Sequence, residues 1–370
     1  MKPDKHNDWH YARPDLANKY LQLFEMGLTS ARGLFARRRM GKTEFLKKDF
    51  IPAAQAKGYL VVYVNLWDLE IDPATALISE FYKAFENKGL KKFLTKFKPS
   101  INKVKASGNI TGLGGSLEVD LTTQKKITGT MLMEAMTAFD KTKYQMILVI
   151  DEAQVLAYSE NSHFAHALRA ALDIRKDRIK VMFAGSSENT LRRMFGVASE
   201  PFYNWAPLEP FELLGQEFVE SMVERVNKIS KYPLSLEDAL AVFSELKNTP
   251  EFFRQYIEQY LLYPEAGSQE ALDVTKKKVY SDQNFNQLWE SLLATDRVLL
   301  SIIAAGKTDI YGQAVHTRLA NQLGLAEGTR KTTIQNSLRR LANKHIITKL
   351  DYGIYQFEDE AFADWVKHKD

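Results

Sequence analysis

The sequence predicts an α/β fold in which a mostly parallel sheet is covered by helices on both faces. Short apolar runs alternate with segments of helical periodicity over the first 210 residues, which is the βαβ pattern of such a sheet. Residues 215–278 show helical periodicity alone. The last part, from about 284, shows three helices and then alternating residues at 346–357, the pattern of a hairpin.

The predicted elements of the α/β part alternate in type along the chain. The second apolar run, 59–66, is apolar on both faces, which is typical of a strand buried in a parallel sheet. In order, the elements are a helix at 16–26, a strand at 33–36, a helix at 42–56, a strand at 59–66, a helix at 73–88, a helix at 127–139, a strand at 144–152, a helix at 163–175, a strand at 180–187, a helix at 190–195 and a strand at 205–208.

The length of 370 residues exceeds one ordinary core, and we expect domains at 1–210, 211–282 and 283–370. The absence of cysteine excludes disulfides, zinc fingers and cysteine nucleophiles. No run of 18 apolar residues occurs and the N-terminus carries no apolar stretch, so we expect a cytoplasmic protein with no membrane partner. The formal charge of +4 is too small to indicate nucleic-acid binding by itself.

Residues 36–43 read Ala-Arg-Arg-Arg-Met-Gly-Lys-Thr and stand between a predicted strand and a predicted helix. Their ending matches the phosphate loop G-x-x-x-x-G-K-[ST], whose backbone N–H groups cradle phosphates, whose lysine reaches the β- and γ-phosphates and whose hydroxyl binds Mg²⁺. Ala36 replaces the first glycine of this motif, and we expect nucleotide binding to survive that change. The residues predicted to contact ATP here are Arg38, Arg39, Met40, Gly41, Lys42, Thr43 and Glu44.

The third strand ends in two carboxylates, Asp151 and Glu152. Asp151 is expected to hold Mg²⁺ together with Thr43, and Glu152 to polarise the attacking water as a general base. An aspartate at this point can also cap a helix, but the upstream Gly-Lys-Thr favours the nucleotide site.

Polar residues also follow the neighbouring strands. Ser186 and Ser187 end the fourth strand, where a hydroxyl can contact the γ-phosphate, position the water or cap the next helix. The sequence does not choose between them, and Ser186 is the catalytic candidate. Asn65, near the end of the second strand, either forms a hydrogen bond to Glu152 and holds it inactive, or forms hydrogen bonds locally at the end of its own strand.

Several arginines are candidates for stabilising charge on the γ-phosphate. Arg192 and Arg193 would act from a neighbouring subunit, with an ordinary surface position as the alternative. Arg254 either reaches the nucleotide from the helical segment or is solvated. At least one of the adjacent residues Arg37, Arg38 and Arg39 is expected to face phosphates, since their mutual repulsion would otherwise be uncompensated.

The C-terminal helices and hairpin form a winged-helix pattern with an uneven charge. Residues 328–350 carry six basic and no acidic residues. Ile334, Leu338 and Leu341 recur at helical spacing and are expected to face the core. The residues expected to face outward from the third helix are of types that reach phosphates and base edges in a major groove. These outward residues are Arg330, Lys331, Thr332, Gln335, Asn336 and Arg339. They predict double-stranded DNA as a partner; protein contact or oligomer packing is the alternative.

Three motifs and the domain order resemble one family. Residues 36–43, Leu148-Val-Ile-Asp-Glu152 and Phe183-Ala-Gly-Ser-Ser187, followed by a helical lid and a winged helix, resemble the archaeal-type AAA+/STAND P-loop ATPases, relatives of origin-recognition initiators and of transposon-associated AAA+ ATPases. The resemblance implies an AAA+ P-loop NTPase fold and Mg²⁺-dependent ATP hydrolysis between the α/β domain and the lid. It also implies a homo-oligomer whose ATP or ADP state controls its grip on DNA.

The same resemblance allows a second function, a STAND-type signalling switch that binds a protein partner instead of DNA and leaves the output to that partner. One position departs from the family: Phe202-Tyr-Asn-Trp205 has tryptophan where many members carry an arginine, so no arginine finger is expected there. A Gly-rich segment at 106–121 is interpreted as a β-hairpin insertion, and the pair His163 and His166 as helix surface.

Overall fold

The first five strands have a different order in the sheet from their order along the chain. The computed structural model describes residues 9–67, 72–88, 131–280, 283–306, 309–324, 331–344, 346–351 and 353–369. All neighbouring strands are parallel, in the order β2-β3-β4-β1-β5. The carboxyl ends of all five therefore meet at one edge of the sheet. The strands are β1 (Ala31–Phe35), β2 (Leu60–Asn65), β3 (Met146–Asp151), β4 (Ile179–Gly185) and β5 (Leu208–Pro210).

Helices cover both faces of this sheet, as the sequence predicts. Every residue of β3 is buried. Leu148 and Ile150 pack into one apolar cluster with helices 73–87 and 162–173, whereas Ile147 and Val149 pack into another with helix 14–25. Successive side chains of a strand point to opposite faces, so an apolar strand requires cover on both sides.

The helices of this part begin and end close to their predicted positions. They are Pro14–Glu25, Lys42–Phe45, Ile51–Ala56, Pro73–Asn87, residues 131–140, Ser162–Asp173 and Glu188–Gly196, with a π-helical turn at Leu46–Phe50 and 3₁₀ turns at Ala153–Ala157 and Ser159–Asn161. The insertion predicted at 106–121 lies outside the described residues.

The fifth strand lies later in the chain than the prediction of 205–208. Trp205 belongs to a turn in which its ring packs edge-on against Phe183 and Phe202. Its Nε1 donates a hydrogen bond to Asp173 at 2.9 Å. The indole is thus fixed by tertiary packing, and pairing with β1 begins only at Leu208.

The chain divides into two compact units. The first, here called the α/β unit, comprises Ala12–Ala36 and Lys42–Phe211. The second, here called the helical unit, comprises Met1–Tyr11, Arg37–Gly41 and Glu212–Asp370. The flanks of the loop at 36–43 thus belong to the α/β unit and its tip to the helical unit.

The helical unit has two apolar cores. The first is formed by helices Gln216–Ile229, Leu236–Glu245, Pro250–Leu262 and Gly267–Tyr280. The second is formed by helices Gln283–Glu290, Ala294–Ala304, Gln313–Leu323 and Lys331–Asn343, the antiparallel hairpin of β6 (Ile347–Asp351) and β7 (Ile354–Phe357), and helix Glu360–Lys367. No helix in the described ranges has the length and apolar character needed to cross a bilayer.

The described residues between 283 and 344 form four helices before this hairpin, where the sequence predicts three. The additional break falls after Glu290, where the guanidinium of Arg297 donates hydrogen bonds to the carbonyl oxygens of Trp289 and Glu290, each at 2.8 Å. These carbonyls would otherwise lack partners at the end of a helix, so Arg297 stabilises the break.

Candidate functional site

The end of the loop at 36–43 is held by a lysine and a glycine. Lys42 is only 6% exposed, and its Nζ donates a hydrogen bond to the carbonyl oxygen of Ala36 at 2.6 Å. Gly41 has a φ of 87°, and a Cβ placed there would meet no atom within 4 Å. The requirement for glycine is therefore conformational and not steric. The backbone N–H groups at the start of the helix that begins at Lys42 lack helical partners and can face an anion.

Asp151 is the buried centre of the site. Its side chain is 0% exposed. Its Oδ2 accepts hydrogen bonds from the hydroxyl of Thr43 at 2.6 Å and from that of Tyr63 at 3.0 Å, and its Oδ1 accepts one from the backbone N–H of Glu152 at 3.1 Å. Burial raises the pKa of Asp151, and the charge of Glu152 raises it further, against the lowering effects of these hydroxyls and of Lys42.

The donor set at Asp151 fits a magnesium ion. Thr43 and Asp151 present a hydroxyl and a carboxylate side by side, and Mg²⁺ prefers hard oxygen ligands of this kind. A cation would also relieve the cost of burying an ionised carboxylate, the cost that the raised pKa expresses.

Glu152 has an unusual backbone and a firmly held side chain. Its φ and ψ are 55° and 43°, in the left-handed region that residues other than glycine rarely adopt. Strain of this kind is concentrated at functional sites. Its Oε2 accepts hydrogen bonds from Ser186 Oγ at 2.9 Å and from Gln154 Nε2 at 2.5 Å.

The structure separates the roles of the neighbouring polar residues. Ser186 faces Glu152, whereas Ser187 caps helix Glu188–Gly196 by accepting a hydrogen bond from the backbone N–H of Thr190 at 3.3 Å. The side-chain donors to Glu152 are Ser186 and Gln154, whereas Asn65 accepts a hydrogen bond through Oδ1 from the backbone N–H of Trp67 at 2.9 Å. The hydroxyl nearest the predicted base is therefore that of Ser186.

Within the helical unit, the three loop arginines contact other protein groups. Arg37 donates to the carbonyl oxygen of Lys247 at 3.2 Å, and Arg38 pairs with Asp359 at 3.1 Å. Arg39, with a φ of 69°, pairs with Glu251 at 3.4 Å. Carboxylates thus compensate two of the three charges, and the expected contact of these arginines with phosphates stays a prediction.

The remaining candidates for nucleotide contact have local partners. Arg192 pairs with Glu188 at 2.7 Å, and Arg193 donates to the carbonyl oxygen of Ala157 at 2.7 Å. Both arginine side chains keep substantial exposure, 58% for Arg192 and 42% for Arg193. Arg254 donates to the carbonyl oxygen of Trp9 at 3.0 Å. Met40 is buried, and Glu44 pairs with Lys48 at 3.3 Å.

The helix Lys331–Asn343 buries its predicted apolar side. Ile334, Leu338 and Leu341 are buried, as predicted. Arg340 pairs with the buried Asp296, which also accepts a hydrogen bond from Ser337. Arg330 lies outside the described residues. The exposed residues of this helix include Lys331, Thr332, Gln335, Asn336 and Arg339.

Sequence reasoning missed two residues of the site, Tyr63 and Gln154. Tyr63 lies in β2, and its hydroxyl reaches Asp151. Gln154 lies in the turn after β3 and is 2% exposed. The available signal for Tyr63 was its hydroxyl within the apolar run of β2, which ends at the same edge of the sheet as β3. Gln154 follows β3 in a turn and carried no comparable signal.

No protein-family profile matches the sequence, and no curated protein matches it either. Solved structures of AAA+ ATPases have the same fold. A Walker-type ATPase of Pyrococcus abyssi superposes with a TM-score of 0.57 at 15% identity, over 99% of this chain and 98% of that one. The ORC2 protein of Aeropyrum pernix, solved with ADPNP and ADP, superposes with a TM-score of 0.55 at 14% identity, over 100% of this chain and 98% of that one.

The ORC1 protein of Aeropyrum pernix, solved in complex with DNA, gives a TM-score of 0.51 at 14% identity, over 100% of this chain and 95% of that one. Identities this low establish the fold alone. The chain thus has the fold of archaeal initiator-like AAA+ ATPases, and the resemblance predicted from the sequence is confirmed at that level.

Proposed function

We propose that this chain binds ATP together with Mg²⁺ and hydrolyses it. The observation that carries the proposal is the meeting of Lys42, Thr43, Asp151 and Glu152 at one edge of a parallel sheet, with Thr43 hydrogen-bonded to Asp151. A lysine, a hydroxyl and two carboxylates are what a phosphoryl-transfer site needs for phosphate binding, metal binding and activation of water. The nucleotide complexes of the ORC2 structure, which has the same fold, support this choice.

Each side chain would have one task in the reaction. Bound Mg²⁺, held by Thr43 and Asp151, would neutralise charge on the β- and γ-phosphates. Lys42 would turn from the carbonyl oxygen of Ala36 to the same phosphates. Glu152 would accept a proton from the water whose oxygen bonds to the γ-phosphorus. The bond from that phosphorus to the bridging oxygen would break, and ADP would leave with the electron pair.

We further infer that nucleotide state controls self-assembly and DNA binding. The proposed domains are the ATPase at 1–210, a lid at 211–282 and a winged helix at 283–370. The exposed polar row on helix Lys331–Asn343 supports DNA contact, as does the DNA complex of the ORC1 structure. In a homo-oligomer, the exposed Arg192 and Arg193 would be available to the site of a neighbouring subunit.

A STAND-type switch that binds a protein partner is the second candidate. It is favoured by the ion pair between Arg38, from the nucleotide loop, and Asp359, next to the C-terminal helix of the same unit. Nucleotide binding at the loop 36–43 would change the ion pair between Arg38 and Asp359, and through it the C-terminal helices could respond to nucleotide without contacting DNA. The two candidates are separated by the salt dependence of DNA binding, with and without ATP.

The test of ATP binding is substitution of the loop lysine. In Lys42→Ala, affinity for a fluorescent ATP analogue with Mg²⁺ should fall by about 100-fold or more, since a charge-assisted contact to phosphate is lost. Lys57→Ala is the matched control, because Lys57 follows the last residue of the same helical segment and pairs with the exposed Glu25. Undiminished binding in Lys42→Ala would contradict the assignment of the site.

A further inference from the structure

Gln154 lies in the 3₁₀ turn Ala153–Ala157, which follows Asp151, the last residue of β3, and Glu152. It is 2% exposed, among the most buried polar residues of the α/β unit that the structure describes. Burying an amide costs free energy unless its polar atoms form hydrogen bonds. The contacts of this side chain therefore indicate why the position carries glutamine and not an apolar residue.

The amide nitrogen of Gln154 completes a closed ring of three hydrogen bonds. Nε2 donates to Glu152 Oε2 at 2.5 Å and to Ser186 Oγ at 3.1 Å. Ser186 Oγ in turn donates to the same Oε2 at 2.9 Å. Both hydrogens of the Gln154 amide and the hydroxyl hydrogen of Ser186 each have one acceptor, so every donor in the ring forms a hydrogen bond.

The other end of the amide is unsatisfied. None of the residues that the structure describes donates a hydrogen bond to Gln154 Oε1. A buried acceptor without a hydrogen bond destabilises the folded chain, because it has lost its bonds to water. Exchanging the oxygen and the nitrogen would place Oε1 against the carboxylate of Glu152, so the orientation is fixed by charge. The Gln154 amide thus leaves Oε1 without a hydrogen bond while Nε2 binds Glu152.

The neighbouring strand leaves space for this amide. A Cβ on Gly185, the last residue of β4, would overlap Gln154 Oε1 and lie 2.9 Å from Cδ1 of Leu191. The absence of a side chain on Gly185 therefore leaves the space that the Gln154 amide occupies.

Only one oxygen of Glu152 is restrained. Both donors bind Oε2, and no described residue donates to Oε1. Glu152 as a whole is partly exposed. A carboxylate anchored through one oxygen keeps the other at a fixed place and direction, which is what a general base requires of its proton-accepting atom.

We propose that Gln154 is a positioning residue for ATP hydrolysis, which with Ser186 anchors Glu152 through Oε2 and leaves Oε1 to accept the proton of the attacking water. The inference rests on the proposed ATPase function. It requires that loss of the amide lowers turnover while nucleotide binding is kept, because the hydrogen bonds of the Gln154 amide go to Glu152 and Ser186 and not to the residues proposed to bind phosphate or Mg²⁺.

The test is steady-state ATP hydrolysis by the full chain carrying Gln154→Met, which keeps side-chain length and removes both donors. We expect kcat to fall by about tenfold or more, and by no more than the 10²–10⁴-fold that a general base contributes, with KM and the Kd of a fluorescent ATP analogue within about twofold of wild type. Gly185→Ala should reproduce this split, since its methyl group displaces the amide.

Asn161→Leu is the matched control for loss of a buried amide. Asn161 lies in the following turn, and its Nδ2 donates to the carbonyl oxygen of Val155 at 2.8 Å, away from Glu152. It should lower the thermal midpoint and leave kcat unchanged. In a Glu152→Gln background, Gln154→Met should change the residual single-turnover rate by less than about twofold, because the group it positions is already removed.

The outcomes are distinct. A wild-type chain that binds ATP without turnover would overturn the proposed hydrolysis and this inference with it. A wild-type chain that hydrolyses ATP while Gln154→Met keeps its kcat would overturn the inference alone. Faster turnover in Gln154→Met would also overturn it, since the ring would then restrain Glu152 in an inactive position.

Discussion

The hydroxyl of Thr43 donates a hydrogen bond to the carboxylate of Asp151, with 2.6 Å between Oγ1 and Oδ2, although 108 residues separate them in sequence. The sheet order explains the meeting: β4 lies between β1 and β3, and all three strands are parallel. Their carboxyl ends, with the loop after β1 and the carboxylates at the end of β3, therefore share one edge. Stability and metal binding are both expected to depend on this pair.

Asp151→Asn is expected to stabilise the protein without nucleotide at neutral pH. Burial and the charge of Glu152 raise the pKa of Asp151 in the folded chain, so its ionised form favours unfolding. The cost is absent in acid, where the group is protonated, and grows as pH rises through the raised pKa. The thermal midpoint of Asp151→Asn should exceed that of wild type by about 2 °C or more at pH 8.

The difference in midpoint should shrink as pH falls toward the ordinary pKa of a carboxyl, 3.8. The measurement is thermal unfolding of both proteins without Mg²⁺ over a pH series. A variant less stable than wild type at every pH would show that the carboxylate is satisfied by its hydrogen bonds, contrary to the expectation.

Thr43→Val should weaken the Mg²⁺ dependence of nucleotide binding. The substitution keeps the shape of the side chain and removes the hydroxyl, a proposed ligand and a donor to Asp151. The Mg²⁺ concentration for half-maximal binding of an ATP analogue should rise about tenfold or more, equivalent to roughly 1.4 kcal/mol. Thr43→Ser retains the hydroxyl and is the control. Equal Mg²⁺ titrations for the two variants would remove Thr43 from the metal site.

Glu152→Gln should retain ATP and fail to hydrolyse it. Glutamine can accept the same hydrogen bonds through its oxygen but cannot serve as a base, and turnover should fall by about 10²–10⁴-fold. Chromatography of the nucleotide bound after a long incubation should show ATP for the variant and ADP for wild type. Glu160→Gln, an exposed acid in the next turn, is the control. ADP bound to Glu152→Gln would assign the base to another group.

Local patterns predicted the parts of the site that lie within one loop or strand end. The strand-loop-helix change around Lys42, and the apolar run ending in Asp151 and Glu152, are each visible over fewer than 15 residues. Their chemistry follows from residue type, because phosphate loops and metal carboxylates need particular side chains at particular spacings.

Contacts made by tertiary packing could not be predicted in this way. Arg38 and Asp359 are 321 residues apart, and nothing local indicates their pairing. Gln154 was missed because a glutamine three residues beyond the end of β3 is equally compatible with a solvent-exposed position. The strand β5 begins at Leu208 and not at the predicted Trp205. The buried indole of Trp205 has a hydrogen-bond partner, and this packing outweighs the propensity of the segment to form a strand.

The adjacent serines should differ in what their loss changes. Ser187→Ala removes a helix cap and should lower stability by about 1 kcal/mol with no change in kcat. Ser186→Ala removes a donor to Glu152 Oε2 and should lower kcat several-fold with a smaller loss of stability. Urea unfolding and ATPase assays on both variants test the assignment. A larger effect on turnover from Ser187→Ala would reverse the two roles.

DNA binding through helix Lys331–Asn343 should show in the salt dependence of affinity. Each phosphate contact releases about one counterion, so Lys331→Ala and Arg339→Ala should each reduce the slope of log affinity against log salt by about 1. Both residues are exposed, and the buried side chains of Ile334 and Leu338 anchor their helix. Lys331 also lies over the ring of Tyr311, so a thermal unfolding midpoint close to that of wild type is required of Lys331→Ala before its slope is compared. Lys83→Ala, an exposed lysine of the α/β unit, is the control. Because electrostatic contact with DNA cannot be independent of salt, a wild-type slope near zero, or no binding with or without ATP, would favour the protein-binding switch.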